Sequence, residues 1–245
     1  MNKWDKIKEE LERMYSEAKK LEDYEEIIQK RETIEKKIGE AELHEDPDKF
    51  GEVLLSGYWG EYYYWLKGFT EEERKAHEKE INNFLKKVSW FWRACKTEIA
   101  FAYGDLLSTA YDYLLEKTET SLKVFKDLKE RAEKTENRIA LLRVINRAVT
   151  REVTEKNWEK AAERANEAEA LLPVRDKNEL RHFGNIFNNR GAAKIRGDID
   201  PIEGIKDLIF AANNFYLQEE MIPVKHLIGI FNRIKEGIKK IKTEK

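Results

Sequence analysis

Trp158-Glu159-Lys160-Ala161-Ala162-Glu163-Arg164-Ala165-Asn166-Glu167-Ala168 is followed, 43 residues on, by Pro201-Ile202-Glu203-Gly204-Ile205-Lys206-Asp207-Leu208-Ile209-Phe210-Ala211. Ala161-Ala162, Ala165 and Ala168 of the first stretch fall on Gly204-Ile205, Leu208 and Ala211 of the second. Small and apolar residues spaced by three and four positions mark one face of a helix, so both stretches read as helices with the same buried side. A polar mark repeats at the same interval: Asn146-Arg147, Asn189-Arg190 and Asn232-Arg233 are each 43 residues apart. Recurrence at a fixed offset is the signature of an internal repeat, in which each block buries its apolar face against the next.

Working outward, Trp4, Ile7, Leu11, Met14, Ala18 and Leu21 form one apolar stripe. The stripe then changes phase, with Asp23 expected to cap a second helix carrying Ile27, Ile34, Ile38 and Ala41. One long helix through residues 1–43 is the alternative at this point. Asp46-Pro47 reads as a cap with proline in the first turn, and Thr70-Glu71-Glu72-Glu73 as a capping box. Gly60, Gly104 and Arg147 are 44 and 43 residues apart, and Leu122, Phe125 and Leu128 precede Ala165, Ala168 and Leu171 by 43, so the repeat is expected to extend upstream. Strand alternation is nowhere sustained. The expected architecture is all-α: one repeat domain over 1–245, with helix pairs at 1–43, 46–93, 95–135, 136–173 and 178–221. A capping helix is expected at 223–243, its Leu227, Phe231, Ile234, Ile238 and Ile241 forming a stripe opposite Lys235 and Lys239.

At 245 residues and 41% hydrophobic content the chain can bury a large core or several small ones in series. Charged residues make up 38%, a bias of the ion-pair-rich kind found in thermophile proteins, including those of archaea. A single cysteine, Cys95, forms no internal disulfide, and Met1-Asn2-Lys3-Trp4-Asp5 lacks the apolar run of a signal peptide, so a cytoplasmic protein is expected. No apolar run is long enough to span a membrane. The net charge of −2 gives no global attraction to nucleic acid. Residues 1–50 hold 11 Lys/Arg against 16 Asp/Glu, whereas 222–245 hold 7 against 2, a polarity able to orient a partner or stack copies of the chain.

Trp158-Glu159-Lys160-Ala161, then Ala165, Ala168 and Pro173, resembles the second-helix half of a tetratricopeptide repeat. The family's Trp-x-x-Leu-Gly-x-x-Tyr pattern is missing from residues 139–152, so the resemblance is to a divergent member. It implies a right-handed helical-repeat solenoid of about five helix pairs plus the capping helix. It also implies a groove, lined by first helices, that grips an extended peptide or a helix through Asn, Lys and Arg side chains.

On that expectation the partner-groove residues are Asn146, Arg147, Asn189, Arg190, Asn232 and Arg233, with Arg143 and Asn185 on the same helices. Asn can clamp a backbone amide and Arg binds carboxylate in a fork, so a peptide or protein partner, acidic or ending in a carboxylate, would suit them. Equally open is a structural role, the asparagines bonding between repeats while the arginines are solvated. A second surface is expected around Tyr58, Trp59, Tyr62 and Trp65, more aromatic residues than one helix face needs, set against packing between two neighbours. The arginines and aromatics together also suit a nucleic-acid-associated regulator. His44, His77, His182 and His226 are scattered without metal-ligand spacing, and no glycine-rich phosphate loop is present, so neither metal nor cofactor nor catalysis is expected. Arg175 and His182 loosely resemble the arginine–spacer–histidine signature of the HEPN ribonucleases, a remote enzymatic alternative.

Overall fold

The computed structural model describes residues 2–217 and 224–243, and among these it is all-helical with no strand. Its packing groups the chain into two compact units, Met1–Glu130 and Arg131–Lys245.

In the first unit, α1 (Lys3–Glu17), α2 (Leu21–Glu45) and α3 (Pro47–Gly68) pack pairwise. α4 (Glu71–Ala76) leads into α5 (Glu78–Ala94), and α5 and α6 (Glu98–Tyr113) pack on α3 and on each other. α7 (Thr118–Lys134) adds Leu128 over Gly104, and Ser108 and Ser121 share a buried hydroxyl contact at 2.9 Å.

The caps follow from the sequence. Asp46 accepts from Lys49 N at 3.1 Å, and Thr70 and Glu73 form the expected capping box. Asp23 differs from expectation. It lies inside the first turn of α2 and reaches back, accepting from Lys19 N and Lys20 N at 2.8 Å each. The chain does break between α1 and α2, and α2 itself is kinked at Gly39 (φ 77°).

The second unit holds α8 (Arg138–Thr154), α9 (Trp158–Asn166), α10 (Lys177–Arg196), α11 (Pro201–Tyr216) and α12 (Val224–Thr243). Consecutive helices again pack together, and so do α8 with α10 and α10 with α12. Ala161, Ala165, Ala168, Gly204, Leu208 and Ala211 are all buried, so the apolar face repeated in the sequence is the core face of both α9 and α11. α7, α8 and α10 end alike. Glu136, Lys156 and Asp198 each adopt positive φ, and the amide after each closes on a carbonyl one turn back, as in Asn137 N to Ala132 O at 3.0 Å.

Two expectations are corrected. Of the three residues expected on the core face of α7, Leu128 is buried, Phe125 is half-buried and Leu122 is 47% exposed; Val124 and Ala132 are buried in addition, so the 43-residue register does not carry intact into α7. On α12, Phe231 and Ile238 are 57% and 42% exposed while Ile230 is buried. Two apolar rows run side by side on this helix, and the row containing Gly237 lies where Ile195 and Ile205 come closest. Pro223, expected to open the helix, lies outside the described residues.

Candidate functional site

α8 and α10 lie side by side, and their register is fixed by one bond: Asn189 Nδ2 donates to Thr150 Oγ1 at 3.1 Å, across 39 residues. The same spacing sets Asn185 against Asn146 and His182 against Arg143. Arg143, Asn146 and Thr150 are spaced by three and four on α8, and His182, Asn185 and Asn189 by three and four on α10, so each set occupies one helical face. All six, and Arg147, are half-buried. The result is a polar seam between two helices.

Two atoms of this seam lie buried without a hydrogen-bond partner: Asn146 Oδ1 and His182 Nδ1. A buried polar atom left unmatched costs roughly 1–3 kcal/mol, so the seam is primed to accept donors and acceptors from elsewhere. Burial pushes the His182 imidazolium down to about 4, helped by the positive charges of Arg143 and Arg181, so His182 is neutral at pH 7.

The three Asn-Arg marks occupy three different environments. Arg147 sits half-buried on α8 beside Asn146. Arg190 turns away from the seam and is 4% exposed. Its Nε and Nη2 fork onto Asp207 of α11 at 2.9 and 2.6 Å, its Nη1 reaches Asn166 at 3.0 Å and Glu169 at 2.5 Å, and its guanidinium covers the Phe187 ring at 4.3 Å. Lys194 Nζ also reaches Asp207, at 3.1 Å. Arg233 donates to Asn188 at 2.6 Å, and burial and then the charge of Arg196 lower its proton affinity. Asn232 is exposed. The Asn-Arg marks therefore do not stack. α10 sits on α8 with a 39-residue offset, one helical turn short of the 43-residue repeat. That turn carries Arg190 out of line with Arg147.

The aromatic surface is mostly interior. Tyr58, Tyr62 and Trp65 are 1%, 4% and 8% exposed, and only Trp59 of that group is half-buried. Tyr58 lies under Arg31 at 4.5 Å and packs on Phe84, Phe91 and Tyr103. Trp59, Tyr63, Tyr64 and Tyr15 are half-buried and still reach the surface, with Lys67 Nζ 5.1 Å over the Tyr63 ring.

Arg175 is exposed in the turn before α10, its amide donating to Glu179 at 2.8 Å, while His182 sits within the helix. Glu179 is held by Arg138 Nε at 2.8 Å. Among the described residues no three His, Cys, Asp or Glu side chains are grouped to hold a metal ion, and no helix is long and apolar enough to cross a membrane.

Sequence reasoning reached Asn146, Arg147, Arg143, Asn185 and Asn189, assigned His182 to other chemistry, and missed Thr150. The signal for all of them was the polar three-and-four spacing shared by α8 and α10, hidden because the apolar residues of α9 and α11 repeat at a different interval. No protein-family model, curated protein or solved structure matches this chain.

Proposed function

We propose that this chain is a divergent tetratricopeptide-like helical-repeat protein. In this reading its helix pairs form a right-handed solenoid, and it acts without catalysis, in the cytoplasm, as a scaffold or adaptor that binds a peptide segment of another protein. Support for the architecture comes from the packing within each unit: α1, α2 and α3 against one another in the first, and in the second each helix against its successor, with α8 against α10 and α10 against α12. The observation that carries the function is the α8–α10 seam, where consecutive first helices present Asn146, Asn185 and Asn189 beside Arg143 and Arg147, with Asn146 Oδ1 and His182 Nδ1 still unmatched. Side-chain amides in this position hydrogen-bond an extended main chain, and the two arginines favour an acidic ligand.

The test uses peptides selected from a random displayed library against the purified protein, with affinity measured by calorimetry. Asn146→Ala and Asn185→Ala are each expected to weaken binding about tenfold, or ~1.4 kcal/mol, with an unchanged melting temperature. Peptides that bind both variants as tightly as the parent would overturn the seam as the site. A nucleic-acid ligand has less support, because Arg190 and three of the four aromatics are turned inward. It would be recognised by binding to random single strands that falls steeply with salt.

A further inference from the structure

α9 and α11 are successive second helices of the repeat, and their inner faces match residue for residue. Their outer faces do not. At equivalent positions α9 exposes Glu159, Glu163 and Asn166 where α11 exposes Ile202, Lys206 and Ile209. Polar residues, two glutamates and an asparagine, serve the fold at these positions in α9, so the architecture does not require isoleucines in α11. Ile202, Ile209 and Tyr216 are 56%, 49% and 79% exposed and seven residues apart, one stripe along the helix with Lys206 and Asn213 between them. A contiguous exposed apolar row of this kind marks an interaction surface, and a seven-residue repeat marks the partner as another helix.

The stripe is symmetric about Ile209. Laid antiparallel against a copy of itself, it brings Ile209 onto Ile209, Ile202 onto Tyr216, and Lys206 onto the uncharged Ala212, next to Asn213. Its one charge thus meets no like charge, and Lys206 is already neutralised by Glu203 at 2.6 Å. The apolar row on α12, Ile228, Phe231 and Ile238, lacks this property, since it is spaced by three and seven residues and does not fall on itself about Phe231. We propose that the outer face of α11 is the contact surface of a two-fold symmetric dimer of this chain, formed by antiparallel α11–α11 pairing about Ile209. A two-fold contact uses one patch on both copies, so self-complementarity is its defining requirement.

A stripe of about 21 Å is small for an interface, so the dimer should form at micromolar or higher concentration. The experiment is sedimentation velocity over a concentration series, combined with disulfide trapping. Cys95 is buried, which keeps the background low. Ile209→Cys is expected to give a covalent dimer on mild oxidation, whereas Ile202→Cys is not, because each copy of residue 202 then lies about 21 Å from its twin. Mixing Ile202→Cys with Tyr216→Cys chains restores the cross-link. Ile209→Glu is expected to weaken self-association at least tenfold with an unchanged circular dichroism spectrum, the residue being half exposed. A parent chain that stays monomeric throughout overturns the proposal. So does association that survives Ile209→Glu and is lost with Phe231→Glu, or cross-linking of Ile202→Cys as fast as that of Ile209→Cys.

Discussion

Each of the two units buries one arginine between its helices, and the two are matched in opposite ways. Arg31, 1% exposed, is shared between two carboxylates: Nη1 donates to Glu35 on its own helix at 2.5 Å and Nη2 to Glu61 on α3 at 2.6 Å. Its stem presses on Gly57, where an added Cβ would come within 2.8 Å, and its Nε is buried without a partner. Arg190 instead has one buried carboxylate, Asp207, which receives it in a two-point fork, while its remaining Nη1 goes to Asn166 and to the exposed Glu169. Splitting a cation between two acids leaves each acid in need of other donors, and the supply is uneven. Glu35 also accepts from Tyr58 OH at 2.6 Å and Lys87 Nζ at 2.9 Å. Burial raises its proton affinity, but Arg31, Tyr58 and Lys87 outweigh burial and hold it below the usual carboxylate range. Glu61 gains only the charge of Lys87 beyond Arg31, and burial leaves it above its ordinary value despite both. A fork leaves one buried acid to satisfy; a cation shared between two buried acids is a network whose weakest member sets its behaviour.

Removing each arginine should expose this difference most clearly. Arg31→Ala strands Glu35 and Glu61 together and is expected to destabilise the first unit by about 3–5 kcal/mol. Arg190→Ala strands one buried acid, Asp207, which keeps Lys194, while Glu169 is exposed and turns to water, so its cost in the second unit should be clearly smaller. Native-state amide exchange on α3 and α10 reads the two units separately. Equal losses would mean that the second carboxylate of the first cluster carries no penalty.

Helix approach gives the next effect. A Cβ on Gly191 would lie 2.6 Å from Gly204 O, against backbone, while one on Gly57 meets only side-chain atoms, Cβ and Cγ of Arg31 at 2.8 Å. Gly191→Ala should therefore cost more than Gly57→Ala, the former at the upper end of the roughly 1–3 kcal/mol range for overpacking. Chemical denaturation of both variants checks the order.

Acid should also distinguish the units. His182 has its folded pKa depressed to about 4 from an ordinary 6.5, so in that window the unfolded chain binds the extra proton. Stability of the second unit therefore falls as pH drops from 6.5 toward 4, by at most about 1.4 kcal/mol per pH unit. In the first unit the two carboxylates oppose each other. The raised Glu61 makes stability fall as pH rises above the ordinary carboxylate pKa, and the lowered Glu35 withdraws stability only at more acid pH. Amide exchange at pH 7 and pH 5 should show α10 weakening first, and His182→Gln should remove that step; an unchanged acid response in the variant would place its origin elsewhere. The smallest change expected is Asn189→Ala, about 1 kcal/mol for one lost hydrogen bond to Thr150. A thermal melt reads it, and a loss several times larger would make the seam a pillar of the fold.

The chain's helices were legible in the sequence because their determinants are local. Asp46-Pro47, Thr70 with Glu73, and Asp200-Pro201 stop and start helices through bonds within four residues, and the faces of α9 and α11 are written in spacings of three and four. The Asn-Arg dipeptides were equally visible. Their fates were not, because a side chain's surroundings depend on how far one helix slides along another. That sliding was decided by packing: Gly191 against Gly204 sets how closely α10 and α11 approach, and Asn189 on Thr150 sets α10 one turn off the sequence repeat on α8. One turn was enough to send Arg190 inward to Asp207 and leave Arg147 on the seam. The same limit applies to Tyr58 and Arg31, an aromatic residue and a charged one that sequence alone would place at the surface. Each is buried because the other is there, and two helices had to meet before either could be satisfied.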